Sequence, residues 1–317
     1  MKIVCFGGGS AVPESVLPGL VKHPEVEITS VTSMVDSGGS TGQLRKDFGI
    51  LPPGDIRRHI LALSEAPQWK KELFSFRFGH EDFGTGHRGH SFGNVFIAGL
   101  EYVLKDYDRV LEIVSDFMQV RGRCLPATIQ KTNVHALLEN EVVIEGEDEI
   151  DVPKKHDGNL RIMKIFLKPE AEAYGPVLKA IGNAERIVIG PGDLYSSVLP
   201  CFLPAGIREA MEKTPAMKIL ICPAMTKRGE TNGFSVRDFA LEAEKYTGCS
   251  LDYIIYNSAI PARERVEEQK KNDPSLIEPV SIDKNLDARF IGMPLASEKG
   301  RIVYDSGRVA DAILSLK

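Results

Sequence analysis

Cysteine is scarce: there are five in 317 residues, at positions 5, 124, 201, 222 and 249. Their number is odd, they lie far apart, and no Cys-x-x-Cys occurs. That fits reduced, mostly buried thiols better than a disulfide framework or a cysteine zinc site. Long apolar runs are also missing. The N-terminus, Met1-Lys2-Ile3-Val4-Cys5-Phe6, meets glycine after four apolar residues, too few for the core of a signal peptide. No stretch approaches the roughly 18 apolar residues of a membrane span. Nor does one sign of charge dominate, since 39 Lys and Arg against 44 Asp and Glu give a net charge of −5. No run of five like charges exists, and without a basic stripe nucleic-acid binding is set aside. A Gly-X-Y period and Pro/Gly-rich tracts are absent as well, which excludes collagen-like and low-complexity classes. What remains is a globular chain, expected in the cytoplasm, with 43% hydrophobic and 26% charged residues.

What is present is glycine in particular places. Average usage of about 7% would give roughly 22 glycines; the chain has 29, and twelve fall in four short stretches. These are Gly7-Gly8-Gly9, Gly38-Gly39-Ser40-Thr41-Gly42, the segment from Gly84 to Gly93, and Gly190-Pro191-Gly192.

The apolar pattern places these stretches in an alternating fold. Residues 2–6 read as a buried strand, 13–22 as a helix and 26–35 as a Val/Ile/Thr-rich strand. Residues 55–65 read as a helix with Asp55 at its N-cap. Residues 68–76, 92–104 and 107–118 read as further helices. After Arg121 the pattern turns to strands at 133–150 and 160–167, so residues 122–168 read as a β-rich insertion. Strand and helix then alternate again: helices at 170–181, 204–212, 236–246 and 309–316, strands at 186–189, 217–222 and 253–256. The expectation is one α/β domain over residues 1–317, a Rossmann-like, doubly wound, mostly parallel sheet. Ligands of such sheets sit at the carboxyl ends of strands, near the point where strand order switches, and three of the glycine loops follow strands.

Each loop admits a chemical and a purely architectural reading. Gly7-Gly8-Gly9-Ser10 lets backbone approach a phosphate, or merely turns the chain. The dinucleotide fingerprint fails because position 12 is Val, which argues against an NAD-dependent dehydrogenase, and no Gly-Lys-Ser/Thr completes a Walker loop. Asp36, before Gly38-Gly39-Ser40-Thr41, suits a ribose hydroxyl, a metal ion or a turn. In Pro52-Pro53-Gly54-Asp55-Ile56-Arg57, Asp55 suits a helix cap and Arg57 a diphosphate or solvent. Gly89-His90-Ser91-Phe92-Gly93-Asn94 opens a helix, with His80 and His87 upstream; no Cys is near, and hydrogen bonding to a ligand by His90 and Asn94 is favoured over metal binding. Gly190-Pro191-Gly192-Asp193-Leu194-Tyr195-Ser196-Ser197 is a strand end, a glycine turn and two hydroxyls, suited to phosphate or to a helix cap. In Met225-Thr226-Lys227-Arg228-Gly229-Glu230-Thr231-Asn232-Gly233 the two cations either neutralise an anion or are solvated.

These blocks, with Leu44-Arg45, Arg121-Gly122, Leu125-Pro126-Ala127-Thr128 and Gly229-Glu230-Thr231, occur in an order that resembles the gluconeogenesis factor (YvcK-like) family. That family is related to the 2-phospho-L-lactate transferases, the CofD branch. The resemblance covers nearly the whole chain. It implies a Rossmann-like fold, cytoplasmic location, and binding of UDP-sugars such as UDP-N-acetylglucosamine by a regulatory protein tied to cell shape on gluconeogenic carbon sources. Bacterial members are not established enzymes. The transferase branch moves a phospholactyl group from a nucleotide diphosphate donor to a deazaflavin with Mg²⁺, and Asp55 matches the carboxylate near its acceptor. Six residues in four places depart from the family pattern: Ser10-Ala11 for Thr-Gly, Ser37 for the second Asp, Asn232 for Asp, and Val303-Tyr304 for Arg-His.

The reading that follows is a nucleotide-sugar protein. Gly7, Gly8, Gly9, Ser10, Gly190, Pro191, Gly192 and Ser197 hold the diphosphate. Asp36 meets ribose or base, and Asp55, His90 and Asn94 line the sugar end. Gly38, Gly39, Ser40, Thr41, Arg57, Asp193, Tyr195, Ser196, Thr226, Glu230 and Thr231 complete the set. The alternative is a transferase-like enzyme in which Asp36 and Asp55 hold Mg²⁺ and Asp55 is catalytic. A homo-oligomer, a dimer, is expected.

Overall fold

The structure, a computed structural model, describes residues 1–79 and 89–317. His80, Gly84, Gly86 and His87 lie outside the described residues. The strands in chain order are β1 Lys2–Phe6, β2 Glu27–Thr32, β3 Arg123–Pro126, β4 Asn133–Leu138, β5 Val143–Glu145, β6 Ile162–Lys168, β7 Arg186–Ile189, β8 Met217–Ile221, β9 Met225–Lys227, β10 Tyr253–Asn257, β11 Leu276–Pro279 and β12 Phe290–Met293.

Seven of them form one sheet in the order β12-β10-β8-β7-β1-β2-β3, and every neighbouring pair is parallel. A parallel sheet covered by helices needs strands that are apolar on both faces, and Ile3, Val4, Cys5 and Phe6 of β1 are all buried. The chain leaves β1 for β2 and β3 on one side, then returns to β7, β8, β10 and β12 on the other. The switch in direction therefore lies between β1 and β7, whose carboxyl ends carry Gly7-Gly8-Gly9 and Gly190-Pro191-Gly192. Among the described residues no helix is long and apolar enough to cross a membrane.

Several elements differ from the sequence expectation. Residues 122–168 are not one unit: β3 joins the main sheet beside β2, and only β4, β5 and β6 form a separate antiparallel sheet. Between β5 and β6 runs a short helix, Glu147–Asp151, in a stretch read as strand. The first helical region is broken into Ala11–Ser15 and Leu17–Leu20, because Pro18 removes an N–H from the second turn. The second glycine stretch is the start of a helix, Gly39–Phe48. Its low intrinsic propensity is overridden by burial of Thr41 and Leu44, and Gly42 allows a backbone approach no side chain would: a Cβ there would fall 2.0 Å from the Ser37 carbonyl oxygen. The helix Arg263–Asn272 and the strands β9, β11 and β12 were not anticipated.

Candidate functional site

Three groups of polar residues gather at the carboxyl edge of the sheet. The first is a cleft of about 190 Å³ at the switch point. Of the residues anticipated as ligand contacts, Gly8, Gly9, Ser10, Pro191, Gly192, Asp193 and Ser197 line it. Their backbone groups divide by role. Gly7 and Gly8 donate their N–H to Val31 and Ser197 carbonyls, at 3.1 and 2.9 Å, and Gly190 donates to Phe6 at 2.8 Å. The N–H groups of Gly9, Ser10 and Gly192 take no protein acceptor among the described residues. Gly9 needs its glycine, with φ of +65° and a Cβ position only 3.2 Å from Ser197 Oγ. The far wall comes from the C-terminal part of the chain and was not read from the sequence: Met225, Leu276, Arg301, Ile302 and Tyr304. Where the family pattern has Arg this chain has Val303, yet Arg301 faces the same cleft and pairs with Glu14 at 3.5 Å.

The second group is acidic. Asp55 is not the helix cap. The helix runs Pro53–Ala62 with Pro52 at the cap position, so Asp55 sits inside the first turn. Its buried carboxylate pairs with Arg58 and accepts from Ser33 Oγ at 3.3 Å. Asp36 lies beside it: a Cβ on Gly54 would fall 2.6 Å from Asp36 Oδ2 and 2.4 Å from Thr41 Oγ1. Burial, and then the Asp55 carboxylate, push the Asp36 pKa up to about 6. A third carboxylate, Glu147, comes from the insertion and accepts from the Ser37 N–H at 3.4 Å; burial and the neighbouring Asp36 raise its pKa. Ser37 Oγ donates to Asp148 at 2.8 Å, so the position that lacks the family's second Asp is bonded to acids supplied by the insertion instead. Arg45 fixes the loop to the insertion, donating to Asp36 O at 2.9 Å and to Asn133 Oδ1 at 2.8 Å.

The third group is a chain of hydrogen bonds. Arg57 Nε donates to Asn94 Oδ1 at 2.9 Å, Asn94 Nδ2 donates to Ser40 Oγ at 3.3 Å, and Ser40 Oγ bonds His90 Nδ1 at 2.8 Å. Ser91 caps the helix Phe92–Leu104, accepting the Asn94 N–H, which turns Asn94 toward Arg57. Gly38 and Gly39 open the helix that carries Ser40, and a Cβ on Gly39 would meet nothing within 4 Å.

The remaining anticipated residues lie inward. Glu230 accepts the N–H groups of Tyr195 and Ser196, at 2.7 and 3.1 Å, and the Ser196 hydroxyl at 2.8 Å. Tyr195 and Ser196 are therefore engaged within the protein, while Ser197 reaches the cleft. Thr231 Oγ1 accepts the Lys227 N–H at 2.9 Å, and Thr226 Oγ1 donates to the Glu278 carbonyl at 3.1 Å. Lys227 is neither solvated nor free for an anion. Its buried ammonium contacts Asp151, Asp193 at 2.7 Å and Glu230 at 3.6 Å. Burial disfavours its charge, but the carboxylates outweigh that and hold its pKa above the usual lysine value. Among the described residues those three carboxylates are the one group of metal-ligand type whose atoms all lie within 4.8 Å of one another, and the Lys227 ammonium already contacts all three and offsets one of their charges. Asp36, Asp55 and Glu147 do not close to that distance.

The sequence profile of the family described as 2-phospho-L-lactate transferase CofD matches residues 3–296. The chain is 34% identical to the gluconeogenesis factor of Bacillus subtilis, over 99% of this chain and 98% of that one. It is also 34% identical to the gluconeogenesis factor of Halalkalibacterium halodurans, over 99% and 96%. A crystal structure of a UPF0052 family protein from Bacillus halodurans superimposes with a TM-score of 0.89 at 33% identity, covering 99% of both chains.

Proposed function

The chain belongs to the CofD family, and from that premise we propose that it is a regulatory protein that binds a nucleotide-diphosphate sugar. One observation carries the reading. Two glycine loops, 7–9 and 190–192, converge on one cleft at the switch point of a parallel sheet, and the N–H groups of its lining residues Gly9, Ser10 and Gly192 take no protein acceptor among the described residues. Uncommitted backbone donors beside glycine suit an oxyanion such as a diphosphate. Ser197 adds a hydroxyl and Arg301 a guanidinium at the rim. The resemblance to gluconeogenesis factors points to UDP-N-acetylglucosamine as the first ligand to try. Its binding should raise the melting temperature as ligand exceeds Kd, and Arg301→Ala should reduce the shift. Saturating UDP-sugars that give neither a shift nor calorimetric heat would end this reading.

A second reading, not favoured, is a Mg²⁺-dependent transferase-like enzyme. The raised pKa values of Asp36 and Glu147 support it, since surplus buried negative charge and oxygen donors suit a hard cation. Asp36 and Asp55 would hold the ion, which would stabilise charge on a leaving phosphate. Its residues fit in donor type, but their oxygens do not close into a compact set. Mass spectrometry after incubation with a deazaflavin and a nucleotide diphosphate-linked donor tests it, and absence of a phospholactyl product rejects it.

A further inference from the structure

Behind the helix Gly39–Phe48 lies a second cavity, of about 430 Å³, and no residue lines both it and the cleft. The helix keeps the two apart by its faces. Ser40, Thr41 and Leu44 turn toward Asn94, Gly54 and the core, while Gly42, Arg45, Lys46 and Gly49 share the opposite face and line the cavity. The other wall is the antiparallel sheet of the insertion, with Lys131 just before β4 and His135 on it. His135 is the residue that asks for a ligand. It is only 6% exposed, with its ring stacked on Phe166 at 5.5 Å. Its Nδ1 comes no nearer than 4.0 Å to the Glu145 carboxylate, too far for a hydrogen bond, and that carboxylate is itself exposed. Among the described residues neither ring nitrogen has a hydrogen-bond partner, and neither is sealed from solvent, so the polar edge of the ring is left to whatever fills the cavity. An imidazole this enclosed ordinarily has a partner. The other charges of the lining divide into engaged and free. Arg45 donates to four acceptors, Val35 O, Asp36 O, Thr132 O and Asn133 Oδ1, and Asp148 is engaged by Ser37. Lys46 and Lys131 are exposed and make no ion pair among the described residues. The Lys131 ammonium stands at the end of the helix, 3.8 Å from where a Cβ on Gly49 would lie. Both cations complement the helix dipole there, but the dipole does not account for a buried imidazole on the same cavity.

We propose that this cavity is a separate ligand site, for a phosphate group carried on a small molecule, with Lys46, Lys131 and His135 as its recognition residues. It does not rest on the nucleotide-sugar reading. Two ammonium groups and an imidazole from three separate segments suit a tetrahedral dianion, which lysine meets as a point charge. A planar carboxylate would be matched better by the fork of Arg45, and that fork is already engaged. The volume lies in the range of roughly 300–1,000 Å³ that small molecules occupy, so the phosphate is one end of the occupant and Asn133 is left for its polar remainder.

Inorganic phosphate is the probe, added to the full chain at constant ionic strength while the imidazole resonances are followed by NMR. The His135 signal, assigned through its backbone, should shift and saturate. In the double variant Lys46→Gln with Lys131→Gln the apparent Kd should rise about tenfold or more, the loss expected of charge-assisted contacts. Arg301→Ala, at the cleft, should leave the His135 titration as it is in the wild type, which separates this site from any phosphate taken by the glycine loops. A His135 signal that does not move, that moves with the same Kd in the double variant, or that loses its response in Arg301→Ala would overturn the proposal. Both lysines are exposed, so the double variant should keep the fold, as circular dichroism checks. If it does not, the two single variants carry the same comparison.

Discussion

Gly8 and Asp55 are in contact across the switch point: a Cβ built on Gly8 would fall 2.7 Å from Asp55 Oδ2 and 2.8 Å from Ser33 Oγ. The first glycine loop and the helix Pro53–Ala62 therefore share a wall, and that wall separates the cleft from the acidic group.

Gly8→Ala should force Asp55 out of its pairing with Arg58. Overpacking of this kind costs about 1–3 kcal/mol. Differential scanning calorimetry should show a clearly lower melting temperature, together with loss of the nucleotide-sugar binding proposed above. Gly182→Ala is the control, because its Cβ would meet nothing within 4 Å and it lies in the helix Gly175–Asn183. That change should be neutral or stabilising by up to about 1 kcal/mol. Equal losses in the two variants would show that the Gly8–Asp55 contact is not special.

Asp36 should make stability fall with rising pH. Its folded pKa of about 6 lies above the usual 3.8, so between those values the folded state holds more protons than the unfolded state. Stability from this group is then present below about pH 4 and lost as pH rises through 6. His59 acts in the opposite sense, since burial lowers its pKa to about 4 from 6.5 and its contribution grows as pH rises across that window. The difference between Asp36→Asn and wild type isolates the aspartate. Measured with a chelator present, the variant's advantage in melting temperature should increase from pH 4 to pH 7. A difference that is flat with pH would contradict the assigned direction.

Most of the main sheet was legible because buried parallel strands are short, largely apolar runs that end at glycine or proline, as at 2–6, 186–189 and 217–222. The edge was not: β12, Phe290–Met293, is only partly buried and has Gly292 within it, so its pattern is weak. The placement of loops 7–9 and 190–192 at strand ends beside a cleft was legible because glycine after a strand has a local physical meaning. Glu147 was not, because it reaches Ser37 from 110 residues away and from a helix of five residues. Lys227 looked like a surface cation. Nothing nearby in sequence announces Asp151 and Asp193, and only the fold brings them to its ammonium.

Lys227→Met should destabilise the protein by about 3–5 kcal/mol, as removal of one partner from a buried ionic group does. Asp151 and Asp193 are about one third exposed, which softens the loss, but Glu230 is fully buried. Adding Glu230→Gln should recover part of the stability, because the neutral amide still accepts from Tyr195 and Ser196. Chemical denaturation of the two single variants and the double variant gives the coupling. Additive losses would mean that Lys227 does not neutralise Glu230.

Ser37→Asp restores the residue usual in the family and should nevertheless be harmful here. Ser37 Oγ donates to Asp148 Oδ1 at 2.8 Å and accepts the Asp148 N–H at 3.2 Å, with the Glu147 carboxylate on the Ser37 N–H. An aspartate would remove the donor and set a third negative charge against two already supplied by the insertion. Loss of one buried or half-buried hydrogen bond, with like-charge repulsion, is expected to cost about 1–3 kcal/mol. Asp148→Asn in the same chain supplies an amide donor to the new carboxylate and should restore most of the loss. If Ser37→Asp leaves the denaturation midpoint unchanged, the insertion is not held to the second glycine stretch through this contact, and the acids it brings to Asp36 are incidental neighbours.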